Sequence, residues 1–184
     1  RRLGADKSVA MPVACNAQLA LMAERTVFEA VYISGAGLVN GTGGYPDVGL
    51  LGMDEMAREA GYIANAVKVP CICDADTGFG EAWQVMRTGR AYEREGLAGL
   101  HLEDQVMPKR CGHLDGKSLI GIEAMQRKIA AACAARQDPD FMIIARCDAR
   151  RALDVAGHRA RAEARAHRGR RGVGHPGTLG PGKP

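Results

Sequence analysis

Short apolar runs alternate with amphipathic stretches along the chain, and this alternation predicts an α/β fold. Five apolar runs are bounded by Gly, Pro or Asp, as the buried strands of a parallel sheet usually are. They lie at residues 11–15, 30–33, 69–73, 99–102 and 141–145. The helical spacing of apolar residues predicts four helices between these runs, at about 17–28, 54–66, 82–95 and 121–136. Because strands recur at intervals of roughly 30 residues, we expect right-handed βαβ units.

Polar residues follow four of the predicted strands. They are Ser34 and Gly35 after the second strand, Asp74 and Asp76 after the third, Glu103 and Asp104 after the fourth, and Arg146 after the fifth. The carboxyl ends of parallel strands meet at one edge, where a (β/α)8 barrel of the TIM type carries its chemistry. We therefore predict this barrel type. A complete barrel has eight strands in about 250 residues, so the chain of 184 residues is expected to hold only about the first five.

The sequence changes character near residue 157. Residues 1–156 are expected to form the partial barrel, a catalytic domain, whereas residues 157–184 almost lack large apolar side chains and end in Gly and Pro. One interpretation is a basic, disordered tail. The other, which we favour, is a frameshift in a GC-rich gene. One plausible back-translation of residues 157–162, read one base later, encodes Ala-Ile-Glu-Arg-Ala, which suits the helix expected after the fifth strand.

The net charge of +4 is unevenly distributed along the chain. Residues 150–184 contain nine Lys and Arg against two Asp and Glu, a net charge of +7, which leaves the rest of the chain at −3. This basic tail has no aromatic residue for stacking on bases, so no nucleic-acid partner is expected. The six cysteines match neither a disulfide scaffold nor a zinc site. With no signal peptide and no apolar segment of about 18 residues, we expect a cytoplasmic protein without a membrane partner.

Three carboxylates at strand ends predict a site for a divalent metal. Asp74 and Asp76 stand two residues apart, a spacing that on a strand directs both side chains to one face, where they can reach one hard cation or its waters. The alternative is that one of them caps the following helix. Glu103 is the third candidate ligand, and its alternative role is a salt bridge at the rim of the barrel.

The segment at residues 109–113 combines cations, a thiol and an imidazole. It reads Lys109, Arg110, Cys111, Gly112 and His113. Cationic neighbours favour the thiolate form of a cysteine and ease proton transfer. The sequence therefore predicts that Cys111 is a general acid, whereas His101, inside the fourth strand, is expected to be a hydrogen-bonded structural histidine.

Six segments place these residues in a characteristic order. They are VYISGAG at 31–37, YPDVG at 45–49, CDADTGFG at 73–80, HLEDQ at 101–105, KRCGH at 109–113 and IIARCDA at 143–149. In order and spacing they resemble the isocitrate lyase/phosphoenolpyruvate mutase superfamily, over about residues 11–156. KRCGH in a short chain is similar to the 2-methylisocitrate lyases, although carboxyphosphonoenolpyruvate mutase shares this loop. Cys111 argues against the phosphoenolpyruvate mutases and the several hydrolases of the superfamily that lack it.

The resemblance implies a role for each candidate residue. It implies Mg²⁺ as the cofactor, held by Asp74, Asp76 and Glu103, with Cys111 protonating the departing succinate carbanion. The other implied catalytic residues are Tyr32, as the base for the substrate hydroxyl, with Lys109 and His113. A packed structural tyrosine is the alternative for Tyr32. The implied substrate-binding residues are Ser34, Gly35, Ala36, Asp47, Gly112 and Arg146.

The resemblance also implies an activity, which is Mg²⁺-dependent cleavage of 2-methylisocitrate to pyruvate and succinate in propionate metabolism. The alternatives are a carboxyphosphonoenolpyruvate phosphonomutase acting at the same site, or a non-catalytic remnant that binds small carboxylates. The expected partner is a small carboxylate substrate. Full-length relatives are expected to be homo-oligomers.

Overall fold

Five parallel strands form one sheet in the computed structural model, which describes residues 9–112 and 114–149. In chain order and in spatial order they are β1 (Val13–Ala14), β2 (Val31–Ile33), β3 (Cys71–Asp74), β4 (Gly99–Glu103) and β5 (Met142–Arg146). All neighbouring pairs are parallel. The α/β fold with a five-stranded parallel sheet is confirmed, and every strand overlaps its predicted run. The predicted tail at 157–184 and His113 lie outside the described residues.

Five helices connect or follow the strands within the described residues. They are α1 (Ala17–Arg25), α2 (Gly35–Gly43), α3 (Met53–Ala64), α4 (Ala82–Arg94) and α5 (Ile122–Ala135). The sequence predicted all of them except α2. None of these helices has the length and apolar character needed to cross a membrane.

The unpredicted helix α2 has an unfavourable composition. Its sequence, GAGLVNGTG, contains four glycines, and each costs about 1 kcal/mol relative to alanine inside a helix. Three local features offset this cost. Ser34 caps the amino end, Leu38 and Val39 are buried, and Gly44 ends the helix in the left-handed conformation at φ +65°. Tertiary packing therefore overrides helix propensity at this position.

The core lies where β3 and β4 meet the helices. Every residue of these two strands is buried, including the polar Asp74, His101 and Glu103. Tyr92 on α4 is fully buried, and its hydroxyl donates to the backbone oxygen of Asp74 at 3.1 Å. This bond fixes the carboxyl end of β3 against α4.

The loop after β3 is supported from behind by two helices. Thr88 on α4 donates through its hydroxyl to Gly78 O at 3.1 Å, and Lys128 on α5 donates through Nζ to Thr77 O at 3.1 Å. Lys128 is only 4% exposed, and this burial lowers the pKa of its ammonium group. A buried cation therefore helps to position the loop.

We expect the stability of the protein relative to a Lys128→Met variant to rise with pH. Below the lowered pKa of folded Lys128, both the folded and the unfolded states carry the proton, and the buried charge costs stability. As the pH rises through that pKa towards the unfolded value of about 10.4, the folded state loses its proton first and the cost declines. Urea unfolding at pH 7 and pH 10 measures this, with exposed Arg127→Met as the control. An unchanged difference in unfolding free energy between the two pH values would contradict it.

Candidate active site at the carboxyl edge of the sheet

Tyr32, Asp74 and His101 form a row of polar side chains across the sheet. β3 lies between β2 and β4, and Asp74 pairs in register with His101. His101 Nε2 lies 3.0 Å from Asp74 Oδ1, and His101 Nδ1 lies 2.9 Å from the Tyr32 hydroxyl. With Nε2 protonated, the imidazole donates to the carboxylate and accepts from the phenol. The prediction that His101 is hydrogen-bonded is confirmed, and its two partners are both candidate site residues.

Asp74 and Asp76 are brought together by a turn, and the expected strand spacing is wrong. β3 ends at Asp74, and Asp76 lies in the left-handed region with φ +47°. The backbone N–H of Asp76 donates to Asp74 Oδ1 at 2.9 Å, so the chain folds back around this carboxylate. The alternative role as a helix cap is also wrong, because α4 takes Glu81 as its N-cap. Strained non-glycine residues of this kind cluster at functional sites.

Lys109 connects two loops through its ammonium group. Nζ lies 2.7 Å from Asp76 Oδ1 and also forms an ion pair with Asp47 Oδ1, in the loop between α2 and α3. All three side chains are almost fully buried. The sequence suggested that Lys109 and Arg110 direct their charge to Cys111. In the structure Lys109 is engaged by the two carboxylates, and Arg110 donates to Asp115 O at 3.2 Å.

Glu103 faces Arg146 across the ends of β4 and β5. The two residues pair in register, with Arg146 Nη1 3.4 Å from Glu103 Oε2. Arg146 Nη2 also donates to Asp148 Oδ1 at 3.1 Å. The salt bridge considered as the alternative role of Glu103 is therefore present, but the carboxylate is buried with its side chain 2% exposed. Its position at the strand end is compatible with both roles.

Asp104 contacts the segment that follows β5. Its carboxylate accepts from Asp148 N at 2.8 Å and lies 3.7 Å from Cys147 Sγ. Asp104 thereby fixes the segment that follows Arg146.

Ser34, Gly35 and Ala36 form the amino end of α2. The Ser34 hydroxyl accepts from Gly37 N at 3.1 Å. The first N–H groups of a helix have no partner within it and favour anions. A side chain at Gly35 would place its Cβ 2.9 Å from Asp74 Oδ2, so this helix end packs directly against the carboxylate. The three residues therefore stand beside the candidate metal ligands, as the sequence suggested.

The loop between β4 and α5 places Cys111 next to two residues that are held at the strand ends. The side chain of Gln105 binds the backbone of Arg110. Gly112 packs so closely against Arg146 that a Cβ there would overlap the guanidinium. Gln105 was not among the residues predicted from the sequence, although the sequence contains a signal for it. Gln105 stands two residues beyond Glu103, in the same HLEDQ segment.

Burial raises the proton affinity of two of the candidate metal ligands. Burial and the charge of Asp74 raise the pKa of Asp76, although Lys109 opposes this effect. Burial raises the pKa of Glu103 to about 8, against the opposing charge of Arg146. Both shifts are caused first by burial, and the neighbouring cations reduce them without cancelling them. Among the described residues, the three buried carboxylates Asp74, Asp76 and Glu103 also outnumber the two cations that pair with them, Lys109 and Arg146.

Asp74 and Tyr32 respond to burial in opposite ways. Burial acts to raise the pKa of Asp74, but the hydrogen bond and charge of His101 outweigh it, and the pKa is lowered. Burial and the charge of Asp74 raise the pKa of Tyr32 above its usual range. A free Tyr32 phenolate is therefore disfavoured, and a base role for Tyr32 requires an acceptor for its own proton.

The candidate ligands Asp74, Asp76 and Glu103 fit Mg²⁺ by their chemistry. They offer only carboxylate oxygens, which this hard cation prefers, and the excess of buried negative charge would be offset by a divalent ion. Within residues 9–112 and 114–149, no three His, Cys, Asp or Glu side chains converge closely enough to enclose an ion. Mg²⁺ needs no such enclosure, because it keeps several waters and is usually held by one or two carboxylates and the substrate.

Comparison with known proteins identifies the family. The family model for phosphoenolpyruvate phosphomutase matches residues 1–176. The chain belongs to this family. The resemblance to the isocitrate lyase/phosphoenolpyruvate mutase superfamily is thereby confirmed.

Two similar relatives are lyases by name. The 2,3-dimethylmalate lyase of Eubacterium barkeri is 51% identical over 148 residues, which cover 80% of this chain and 51% of that protein. The 2-methylisocitrate lyase of Aeropyrum pernix is 53% identical over 142 residues, which cover 77% of this chain and 45% of that protein. The chain therefore spans about half the length of the curated relatives it matches.

Solved structures of the superfamily share the fold. An oxaloacetate acetylhydrolase in complex with 3,3-difluorooxalacetate is 36% identical, with a TM-score of 0.85 over 90% of this chain and 57% of that chain. A phosphonopyruvate hydrolase in complex with oxalate and Mg²⁺ is 35% identical, with a TM-score of 0.76 over 86% of this chain and 54% of that chain.

We expect Lys109→Met to destabilise the fold by about 3 kcal/mol, because it leaves the carboxylates of Asp47 and Asp76 buried without their cation. Urea unfolding at pH 7 measures the loss. Arg110→Met is the matched control, since it removes an exposed cation from the same loop and should change stability by less than about 1 kcal/mol. Equal losses in the two variants would show that the buried ion pairs do not stabilise this edge.

Proposed function

We propose that the complete gene product is a Mg²⁺-dependent carbon–carbon lyase that cleaves 2-methylisocitrate to pyruvate and succinate. The observation that carries the proposal is the placement of the Cys111 loop beside the buried carboxylates. Arg110 is bound by the side chain of Gln105, which also donates to Glu103, and Gly112 packs on Arg146. Relatives named 2-methylisocitrate lyase at 40–53% identity support it. The proposal includes a homo-oligomer, and the absence of a disulfide-type cysteine pattern supports a cytoplasmic location.

The substrate would bind through its carboxylates. Arg146 offers a planar guanidinium, which suits bidentate binding of a carboxylate. The N–H groups of Gly35 and Ala36 offer a second anion site at the amino end of α2. Mg²⁺, held by Asp74, Asp76 and Glu103 directly or through its waters, would stabilise the negative charge that develops on the pyruvate half.

The polar row gives the hydroxyl proton of the substrate a route away from the reacting carbon. The Tyr32 oxygen would take this proton while its own proton passes to His101 Nδ1, 2.9 Å away. Asp74 Oδ1, 3.0 Å from Nε2, then stabilises the imidazolium. No free phenolate forms, which agrees with the raised pKa of Tyr32.

Cys111 would complete the reaction as the general acid. When the carbon–carbon bond breaks, its electron pair remains on the succinate carbon and the substrate alkoxide becomes the carbonyl of pyruvate. The thiol proton of Cys111 then neutralises the carbanion, and the cysteine is left as a thiolate. A thiol is a much stronger acid than a hydroxyl group, so serine is a poor replacement.

A phosphonomutase is the second candidate, because the matching family model carries the name phosphoenolpyruvate phosphomutase. Transfer of a phosphoryl group leaves no carbanion that requires a proton, so this reaction has less use for the thiol at position 111. Cys111 therefore favours the lyase over a phosphoenolpyruvate mutase. It does not separate the lyase from a carboxyphosphonoenolpyruvate mutase, which shares the KRCGH loop, so the choice between these two rests on the named relatives.

Asp74→Ala and Asp76→Ala are each expected to weaken Mg²⁺ binding at least tenfold, because each removes one of the few carboxylates available to the ion. Isothermal titration calorimetry with MgCl₂ measures binding, and Mg²⁺-dependent pyruvate release should be lost in parallel. Asp54→Ala, which removes an exposed carboxylate on α3, is the control. A variant that binds Mg²⁺ with unchanged affinity would remove its residue from the metal site.

Cys111→Ser is expected to reduce kcat for 2-methylisocitrate about 100-fold or more, in the range that a general acid contributes. Binding of succinate should be unchanged. Pyruvate release, coupled to NADH oxidation by lactate dehydrogenase, measures turnover, and Cys133→Ser on α5 is the control. The same assay with 2,3-dimethylmalate tests the related lyase activity. Inactivity of the wild type towards both substrates, together with formation or cleavage of a C–P bond, would establish the mutase.

A further inference from the structure

The side chain of Gln105 makes a peptide-like pair with the backbone of Arg110. Its Oε1 accepts from Arg110 N at 2.9 Å, and its Nε2 donates to Arg110 O at 2.9 Å. Nε2 also donates to Glu103 Oε1 at 3.1 Å. The orientation of the amide follows from these contacts, because a flipped amide would turn its oxygen towards two acceptors. Gln105 is only 1% exposed, and its amide is the group that joins the strand-end carboxylate to the loop.

The backbone of Gln105 also holds the returning part of the same loop. Gln105 forms an antiparallel bridge with Leu119, and Val106 N donates to Ser118 O at 2.8 Å. Both the middle and the end of the loop are therefore fixed at one residue.

Cys111 lies between two fixed points in this loop. On one side, Arg110 is held by the amide of Gln105. On the other side, Gly112 O accepts from Lys117 Nζ at 2.6 Å, and Gly112 packs on Arg146. The amide of Gln105 binds both the Glu103 carboxylate and the backbone of Arg110, the residue before Cys111.

We propose that Gln105 is a positioning residue that sets the location of the Cys111 thiol relative to the Glu103 carboxylate. This inference rests on the proposed function. The hydrogen bonds between the Gln105 amide and the backbone of Arg110 require glutamine at this position. Glutamate lacks the donors and adds a carboxylate beside Glu103, methionine lacks both donor and acceptor, and asparagine is one methylene too short to reach Arg110.

Two variants test this role in the complete protein. Gln105→Met and Gln105→Glu keep the length of the side chain, and Gln18→Met, at an exposed position on α1, is the matched control. We expect kcat for 2-methylisocitrate to fall about 100-fold in both, the usual effect of a displacement of about 1 Å at a reacting group. KM should change less than about threefold, because the substrate-binding groups remain.

Two further measurements report the position of the loop and do not depend on enzymatic turnover. The rate at which iodoacetamide labels Cys111, followed by mass spectrometry, should rise about tenfold as local opening becomes easier. Tryptic cleavage after Arg110 should accelerate in parallel. Cys71 and Cys73 are buried in β3 and serve as internal references, so they should stay unlabelled in the folded variants.

The outcomes separate this inference from the proposed function. Faster labelling and cleavage with a lower kcat, while Cys71 and Cys73 remain protected, support the positioning role. Rates of labelling and cleavage equal to those of the wild type would overturn it. So would labelling of Cys71 and Cys73 to the same extent as Cys111 in both variants, because the variants would then unfold as a whole. If the wild-type protein does not cleave 2-methylisocitrate, the proposed function fails, whereas labelling and proteolysis still decide the role of Gln105.

Discussion

Burial of negative charge at one edge of the sheet is the constraint on which the candidate site depends. Asp74, Asp76 and Glu103 are almost fully excluded from water, and an unpaired buried carboxylate is costly. The chain offsets this cost with a different cation or hydrogen-bond donor for each group. Lys109 is anchored by this requirement and its loop is drawn to the strand ends, whereas Arg146 already stands at the end of β5. These ion pairs therefore hold the site together and also offset part of its negative charge.

The parallel sheet makes this concentration of charge possible. Side chains at the ends of β2, β3, β4 and β5 lie in adjacent positions because neighbouring strands point the same way, as the register of Asp74 with His101 and of Glu103 with Arg146 shows. The same arrangement supplies the groups that offset the negative charge, because the loop after each strand begins at this same edge of the sheet. Helices α4 and α5 then fix the loop after β3 through buried donors. Fold and chemistry therefore share one set of contacts.

The sequence predicted the strands well because each apolar run is short and bounded by Gly, Pro or Asp, and because β3 and β4 are buried along their whole length. It missed α2, whose glycines conceal a helix stabilised by the Ser34 cap and by buried Leu38. It also placed Asp76 on a strand, because side-chain spacing alone does not reveal a left-handed backbone conformation. The site residues were found as members of short segments, but their partners were not. Which carboxylate attracts Lys109 depends on the distance between loops, and this distance is set only when the chain folds.

The reaction type and the choice of substrate depend on different parts of such a site. 2-Methylisocitrate and 2,3-dimethylmalate share a carbon that bears a hydroxyl, a methyl and a carboxylate, and cleavage beside it yields pyruvate in both cases. Under the proposed function, Tyr32, Asp74 and the amino end of α2 would serve this shared half, and Cys111 would protonate the carbanion that either substrate leaves beside a carboxylate. The substrates differ only in the arm on the second carbon, which is carboxymethyl in one and methyl in the other. A cation that reaches this arm would select the first, and an apolar contact would select the second. In the proposed reaction, the charges at the strand ends would therefore define the bond that is cleaved, whereas selectivity would come from the residues that contact the arm.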